Sequence, residues 1–160
     1  MALLRPVINV REIPPAASRL RAALPSLRDL ISAAPTAHEQ SVLAYLSQGV
    51  ACCFFPDNGM AYDVFQPKRI PLDVPIGGAT EIYHLHWSEI LSDGVWVWPS
   101  VLLYYVHEYH LALQSHFINH AASRQWQIDP TTIDVRELDP GLFFGVPNAS
   151  GELQPLLWKS

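Results

Sequence analysis

The sequence predicts a small single α+β domain: short N-terminal helices, an antiparallel sheet of hairpins, and two helices after the sheet. Three observations point there. The 160 residues fit one domain, long enough to bury roughly two thirds of the surface that the unfolded chain exposes, with no need of a disulfide or metal staple. Apolar residues make up 49% and charged residues 16%, a balance that supports an ordered core rather than a disordered chain. Stretches of helical spacing alternate with stretches of two-residue spacing, and no internal repeat or low-complexity tract interrupts them. The expected organisation is one domain over 1–160, with Arg-bearing helices in 1–35, a core in 36–128 and a peripheral tail in 129–160.

The elements follow in order. Residues 3–13 alternate loosely (Val7, Ile8, Val10, Ile13) and suit a short strand or extended arm ending at Pro14-Pro15. Leu20, Leu24, Leu27 and Ile31 fall at helical spacing, interrupted by Pro25, so two short helices are expected. Pro25 and Ser26, with Asp29 three residues on, open the second in the manner of a capping box. Thr36 and Glu39 form another such box, and Val42, Leu43 and Leu46 give the next helix one apolar face until Gly49 ends it. His38, in its first turn, is expected to be solvated.

Two strand-like runs come next, VACCFF (50–55) and AYDVF (61–65), and the intervening PDNG suits a tight turn, so a hairpin is expected. Residues 66–79 carry three prolines and Gly77-Gly78 and read as a loop. TEIYHLHW (80–87) has strand alternation. Asp93-Gly94 offers a turn, VWVW (95–98) a short strand, and Pro99 a start for a helix reaching about Tyr109, because a first helical residue needs no N–H. A second helix is expected over 114–125, with Phe117, Ile118 and Ala121 facing the core. TTIDVR (131–136) and LFFGV (142–146) suit edge strands.

Charge and cysteine usage narrow the function. The net charge of −5 disfavours nucleic acid as a direct partner, whose phosphates need a basic stripe. Residues 1–35 hold five Arg against Glu12 and Asp29, a net +3, so residues 36–160, with five basic and thirteen acidic residues, carry −8. An acidic body steers basic partners. Cys52 and Cys53 are adjacent in an apolar run, without zinc-knuckle or CxxC spacing, and read as reduced core thiols. The N-terminal apolar run is too short for a signal peptide and no run reaches transmembrane length. A cytoplasmic protein with no membrane partner is the expectation.

Six of the seven histidines lie between His84 and His120. His84 and His86 share a strand face about 7 Å apart between Cα atoms, while His107 with His110, and His116 with His120, share helix faces. Such pairs can chelate a divalent metal, so a metal-dependent hydrolase using His84, His86, His107 and His110 is one functional expectation. Against it, HEYH is not HExxH, since Glu108 directly follows His107 and points elsewhere. No GxSxG elbow, Walker lysine or marked carboxylate pair is present. The preferred expectation is therefore no catalytic residues, no metal and no cofactor.

The densest segment is DGVWVWPSVLLYYVHEYH (93–110). Trp96 and Trp98 share one strand face, opposite Val95 and Val97. Leu102, Tyr105, Val106 and Tyr109 form a core stripe on the following helix, leaving Leu103, Tyr104 and His107 on a flank. Most of these rings are expected in the core, with the remainder free to anchor a partner.

Asp93, Gly94, Trp96, Trp98, Pro99, Leu102, Tyr104, Tyr105, Val106, Tyr109, His110, Leu113 and Phe117 match a pattern of the form DGxWxWPxxLxYYVxxYHxxLPxxF. The segment resembles small bacterial proteins that share this pattern, some of them immunity partners of polymorphic secreted toxins. YLSQGV and AYDVF upstream resemble the segments that precede it in such proteins, and Gln114 departs from the pattern's proline. The resemblance covers about the middle half of the chain. It implies a cytosolic, non-enzymatic binding protein that neutralises a cognate toxin by covering its active site. The partner-binding residues expected are Tyr83, Trp87, Glu89, Asp93, Trp96, Tyr104 and Glu108, with the oligomeric state left open.

Overall fold

The computed structural model describes residues 27–54, 61–77 and 81–138, together with the backbone of Asp139 and of four two-residue strands nearer the termini. These are β1 (Ala2–Leu3), β2 (Arg5–Pro6), β9 (Val146–Pro147) and β10 (Leu153–Gln154). Between them come α1 (Leu27–Leu30), α2 (Glu39–Ser47), β3 (Val50–Phe54), β4 (Asp73–Ile76), β5 (Glu81–His84), β6 (Glu89–Ser92), β7 (Trp96–Pro99), α3 (Leu102–Tyr109), α4 (Ser115–Ser123) and β8 (Leu138–Asp139). Helices and mainly antiparallel sheets pack around one hydrophobic cluster, an α+β fold as expected. Among the described residues no helix is long and apolar enough to cross a membrane.

The main sheet has the order β2-β7-β6-β3. Its centre is the antiparallel pair β6–β7, turned at Asp93-Gly94, where Gly94 takes φ 94°, a left-handed value that costs glycine little. All four residues of β7 are buried, because a sheet neighbour or a helix covers each side of the strand. Trp96 and Trp98 lie on one face, as their alternation requires. Both pack edge-on against Phe117 of α4, with ring centroids 5.6 and 5.9 Å away. Tyr45 of α2 closes the cluster at 5.9 Å from Phe117 and 6.4 Å from Trp98.

Several expectations are corrected. Strand β3 does not form a hairpin with 61–65: it pairs antiparallel with β6, Val50 opposite Ser92 and Phe54 opposite Glu89. Ala61–Phe65 is a loop in which Tyr62 bridges only to Arg69. The PDNG turn lies outside the described residues. Residues 73–76 are a strand despite Pro75, and pair with β5 to make the hairpin β4–β5. The Pro75 ring is tolerated in this two-stranded sheet because each strand has an edge on which no N–H is required.

Pro99 ends β7 opposite Ile90 rather than opening the helix. Ser100 turns the chain, its N–H donating to the Glu89 carbonyl and its hydroxyl to the His86 carbonyl, and α3 begins at Leu102. Residues 102–106 of α3 are buried on every side, so the expected flank, Leu103 and Tyr104, lies inside with the stripe. The helix stops at His110, which takes φ 52° and ψ 48°. Helix α2 begins at Glu39, two residues later than a capping box at Thr36 implies, and the buried Glu39 carboxylate pairs with His110 instead of reaching back.

Residues 131–136 are no strand. Asp129 and Asp134 each accept the N–H two residues on, and two 3₁₀ turns follow, Pro130–Thr132 and Val135–Glu137. The tail also contributes Leu138 to the core. At the other end, residues 7–26, with the first expected helix and the start of the second, lie outside the described residues, as do 142–145 of LFFGV. Only the four-residue α1 is described of those helices, with Leu27 buried and Ile31 beyond it exposed.

Candidate functional site

Two buried carboxylates organise the polar interior. Asp93, the first residue of the aromatic segment, is fully covered. Its Oδ1 accepts the N–H groups of Val95 and Trp96 at 2.9 and 2.7 Å, which holds the β6–β7 turn. Its Oδ2 faces the Tyr45 hydroxyl at 2.6 Å and His120 Nε2 at 3.0 Å, tying the turn to α2 and α4. Arg124 donates to its carbonyl at 3.1 Å. Burial, then the Asp93 carboxylate, push the Tyr45 hydroxyl's ionisation well above its ordinary range.

Asp63 does the same for the loop 61–70. Its Oδ2 accepts the hydroxyls of Tyr104 and Tyr109 at 2.6 and 2.7 Å, and its Oδ1 the N–H groups of Phe65 and Gln66 at 2.7 and 3.2 Å. Burial works to raise the Asp63 pKa, but these donors outweigh it and the net shift is downward. Tyr109 is pushed up to about 12, by burial first and then by its bond to Asp63. Tyr105 caps the same loop, accepting the Val64 N–H at 3.0 Å.

The histidines expected to share a metal are dispersed. His84 Nδ1 lies 2.6 Å from Asp73 across the β4–β5 hairpin, His86 Nδ1 lies 2.9 Å from the Ser88 hydroxyl, and His110 Nδ1 lies 2.8 Å from Glu39. Among the described residues no three His, Cys, Asp or Glu side chains are grouped to hold an ion. The His84/His86/His107/His110 convergence is therefore corrected: β5 and the end of α3 bind their histidines to different partners.

The expected partner-binding residues divide in two. Asp93, Trp96 and Tyr104 are at most 7% exposed and spend their polar atoms or rings inside the domain, so they build the fold rather than its face. Tyr83, Trp87, Glu89 and Glu108 remain at the surface in whole or part. Burial, and then the charge of Glu89, push Tyr83 up to about 12. Glu108 meets Lys68 at 3.7 Å.

Around Trp87 the structure adds residues that the sequence did not single out. The Arg69 guanidinium lies over both the Tyr62 ring (5.5 Å) and the Trp87 ring (5.7 Å). His86, next in the chain to Trp87, packs edge-on against Phe54 at 5.8 Å. Phe54 and Tyr62 are 63% and 52% exposed, and Ile82 on the outward face of β5 is 63% exposed. The ring contacts join β3, the loop 61–70 and residues 86–87, and no local spacing announces their meeting. A separate surface cleft of about 220 Å³ is lined by Gly94, Arg124, Asp134 and Glu137 among others.

The fold and this face define a small α+β domain with a polar interior committed to holding loops and an aromatic strip left outside. Comparisons with family models, with curated proteins and with solved structures gave no match.

Proposed function

We propose that the chain is a non-enzymatic binding protein of the immunity type, which neutralises a cognate protein toxin by covering its active site. The observation that carries this reading is the exposed strip Phe54–His86 and Tyr62–Arg69–Trp87. Large rings at a surface held by a rigid sheet are what a protein interface uses as anchors. Asp73 and Glu81 stand exposed on the adjoining hairpin, and residues 36–160 as a whole carry −8. Toxins acting on nucleic acids carry basic clefts, which such a surface complements. The buried Asp63 and Asp93 support the same reading, because their oxygens are engaged by structural donors rather than presented to a substrate.

The test is genetic and then biochemical. The reading frame beside the one encoding this chain is expressed alone and with it. Growth arrest by the neighbour, relieved by co-expression and no longer relieved with Trp87→Ala and Phe54→Ala, is the expected result. A neighbour that is harmless, or one whose toxicity this chain leaves unchanged, overturns the reading.

A further inference from the structure

The strand that ends at Phe54 carries the adjacent pair Cys52 and Cys53, and its pairing with β6 is irregular there. Ala51 faces Leu91 and Cys53 faces Ile90, so Cys52 is an extra residue and both cysteines oppose the one residue Ile90. Such a β-bulge interrupts the alternation that sends neighbouring side chains to opposite faces. Cys52 donates its S–H to the Ile90 carbonyl oxygen at 3.5 Å. Both side chains are half-buried rather than sealed in the core.

We propose that Cys52 and Cys53 form a bidentate site for a soft, thiophilic ion of bent coordination, of which trivalent arsenic is the type. Two sulfurs on consecutive residues of one bulge are able to converge on a pyramidal ion of bent coordination, and soft ions select thiolate ligands. A disulfide is the poorer product, because adjacent Cα atoms lie about 3.8 Å apart, closer than the roughly 4.4–6.8 Å that an ordinary disulfide spans. The thiols are also differentiated. Cys52 keeps its S–H on the Ile90 carbonyl, and its pKa is raised by its interaction with Cys53 and then by burial, while the same interaction lowers the Cys53 pKa, so Cys53 supplies the first thiolate.

With phenylarsine oxide as the probe, two S–H bonds break and two S–As bonds form. The two protons leave with the oxide oxygen as water, and arsenic stays trivalent, so no electron acceptor is needed. The experiment treats the reduced, folded full-length chain with phenylarsine oxide and follows intact mass and thermal unfolding. One adduct per chain is expected, stable to excess monothiol and removed by a dithiol, with Tm raised because the ion binds the folded state more tightly than the unfolded one.

Cys52→Ser and Cys53→Ser are each expected to lose retention at least tenfold and to show no rise in Tm. Alanine replacements repeat the comparison, and circular dichroism verifies that each variant folds. Retention of the adduct by a folded single-cysteine variant, its release by monothiol, or an unchanged Tm in the parent chain would each overturn the proposal.

Discussion

Asp63 and Asp93 are carboxylates inside the domain, and each collects several donors. For Asp63 these are two tyrosine hydroxyls and two backbone N–H groups. Replacing its charge in Asp63→Asn leaves one amide where an acceptor is required, and hydrogen bonds to charged groups are worth about 1.5–3 kcal/mol. A loss near 2 kcal/mol in urea unfolding is expected. The pH dependence follows from the lowered Asp63 pKa. The unfolded carboxyl titrates near 3.8, so the stabilisation is complete above that pH and is lost as pH falls through the lower folded value. Asp63→Asn should flatten this acid limb; a parallel limb in parent and variant counts against it. Tyrosine shifts act at the other end. Tyr83 and Tyr109, raised from 10.0 to about 12, favour folding up to pH 10 and lose that contribution between 10 and 12. Little of this was legible in the sequence, where a buried Asp and a solvated one are the same letter. As an acidic loop residue Asp93 is expected at the interface, and only its four carboxylate contacts reveal it as the clasp of a turn.

Elements built on local spacing were legible, and those built on distant pairing were not. The helices α2, α3 and α4 fall within a few residues of where their periodicity places them, because i, i+3, i+4 contacts lie within one segment. Strand β6 carries no legible signal because Ile90, Leu91 and Ser92 are all buried, which erases the alternation that marks a half-exposed strand. The partner of β3 is illegible for a related reason: PDNG signals a turn, but Cys52, Cys53 and their neighbours find their ladder in a strand more than thirty residues away. The junction of α2 with β3 supplies an element-scale prediction. A Cβ built on Gly49 would sit 2.6 Å from the Trp98 ring and 2.8 Å from the Leu91 Cβ. Both neighbours belong to the packed sheet and cannot yield, so Gly49→Ala should cost about 1–3 kcal/mol by overpacking. Phe117→Ala removes the ring on which Trp96, Trp98 and Tyr45 converge and should cost about 3–5 kcal/mol. Thermal or urea unfolding measures both, and an unchanged midpoint for either contradicts the packing described.

For the molecule as a whole, the division of aromatic rings between core and surface is the property that bears on function. Tyr45, Trp98, Tyr105 and Phe117 are fully buried, whereas Phe54 and Tyr62 stay more than half exposed at the strip beside Trp87. The sequence placed Trp87 at this face and missed Phe54, Tyr62 and Arg69, because their meeting depends on β3, two loops and a cation lying over two rings. If the strip anchors a partner, Phe54→Ala should leave Tm nearly unchanged, since so exposed a ring contributes little to the core. It should nevertheless weaken binding by about 2 kcal/mol or more, roughly thirtyfold in Kd, and chiefly through faster dissociation. The exposed acids act on the other rate. Reversing charge at Asp73 and Glu81 should slow association with a basic toxin and reduce its dependence on salt, with dissociation little affected. Surface-bound kinetics at two ionic strengths separate the two effects. Equal losses from Phe54→Ala and from an exposed residue outside the strip, such as Asp134→Ala, would show that this face does not make the contact.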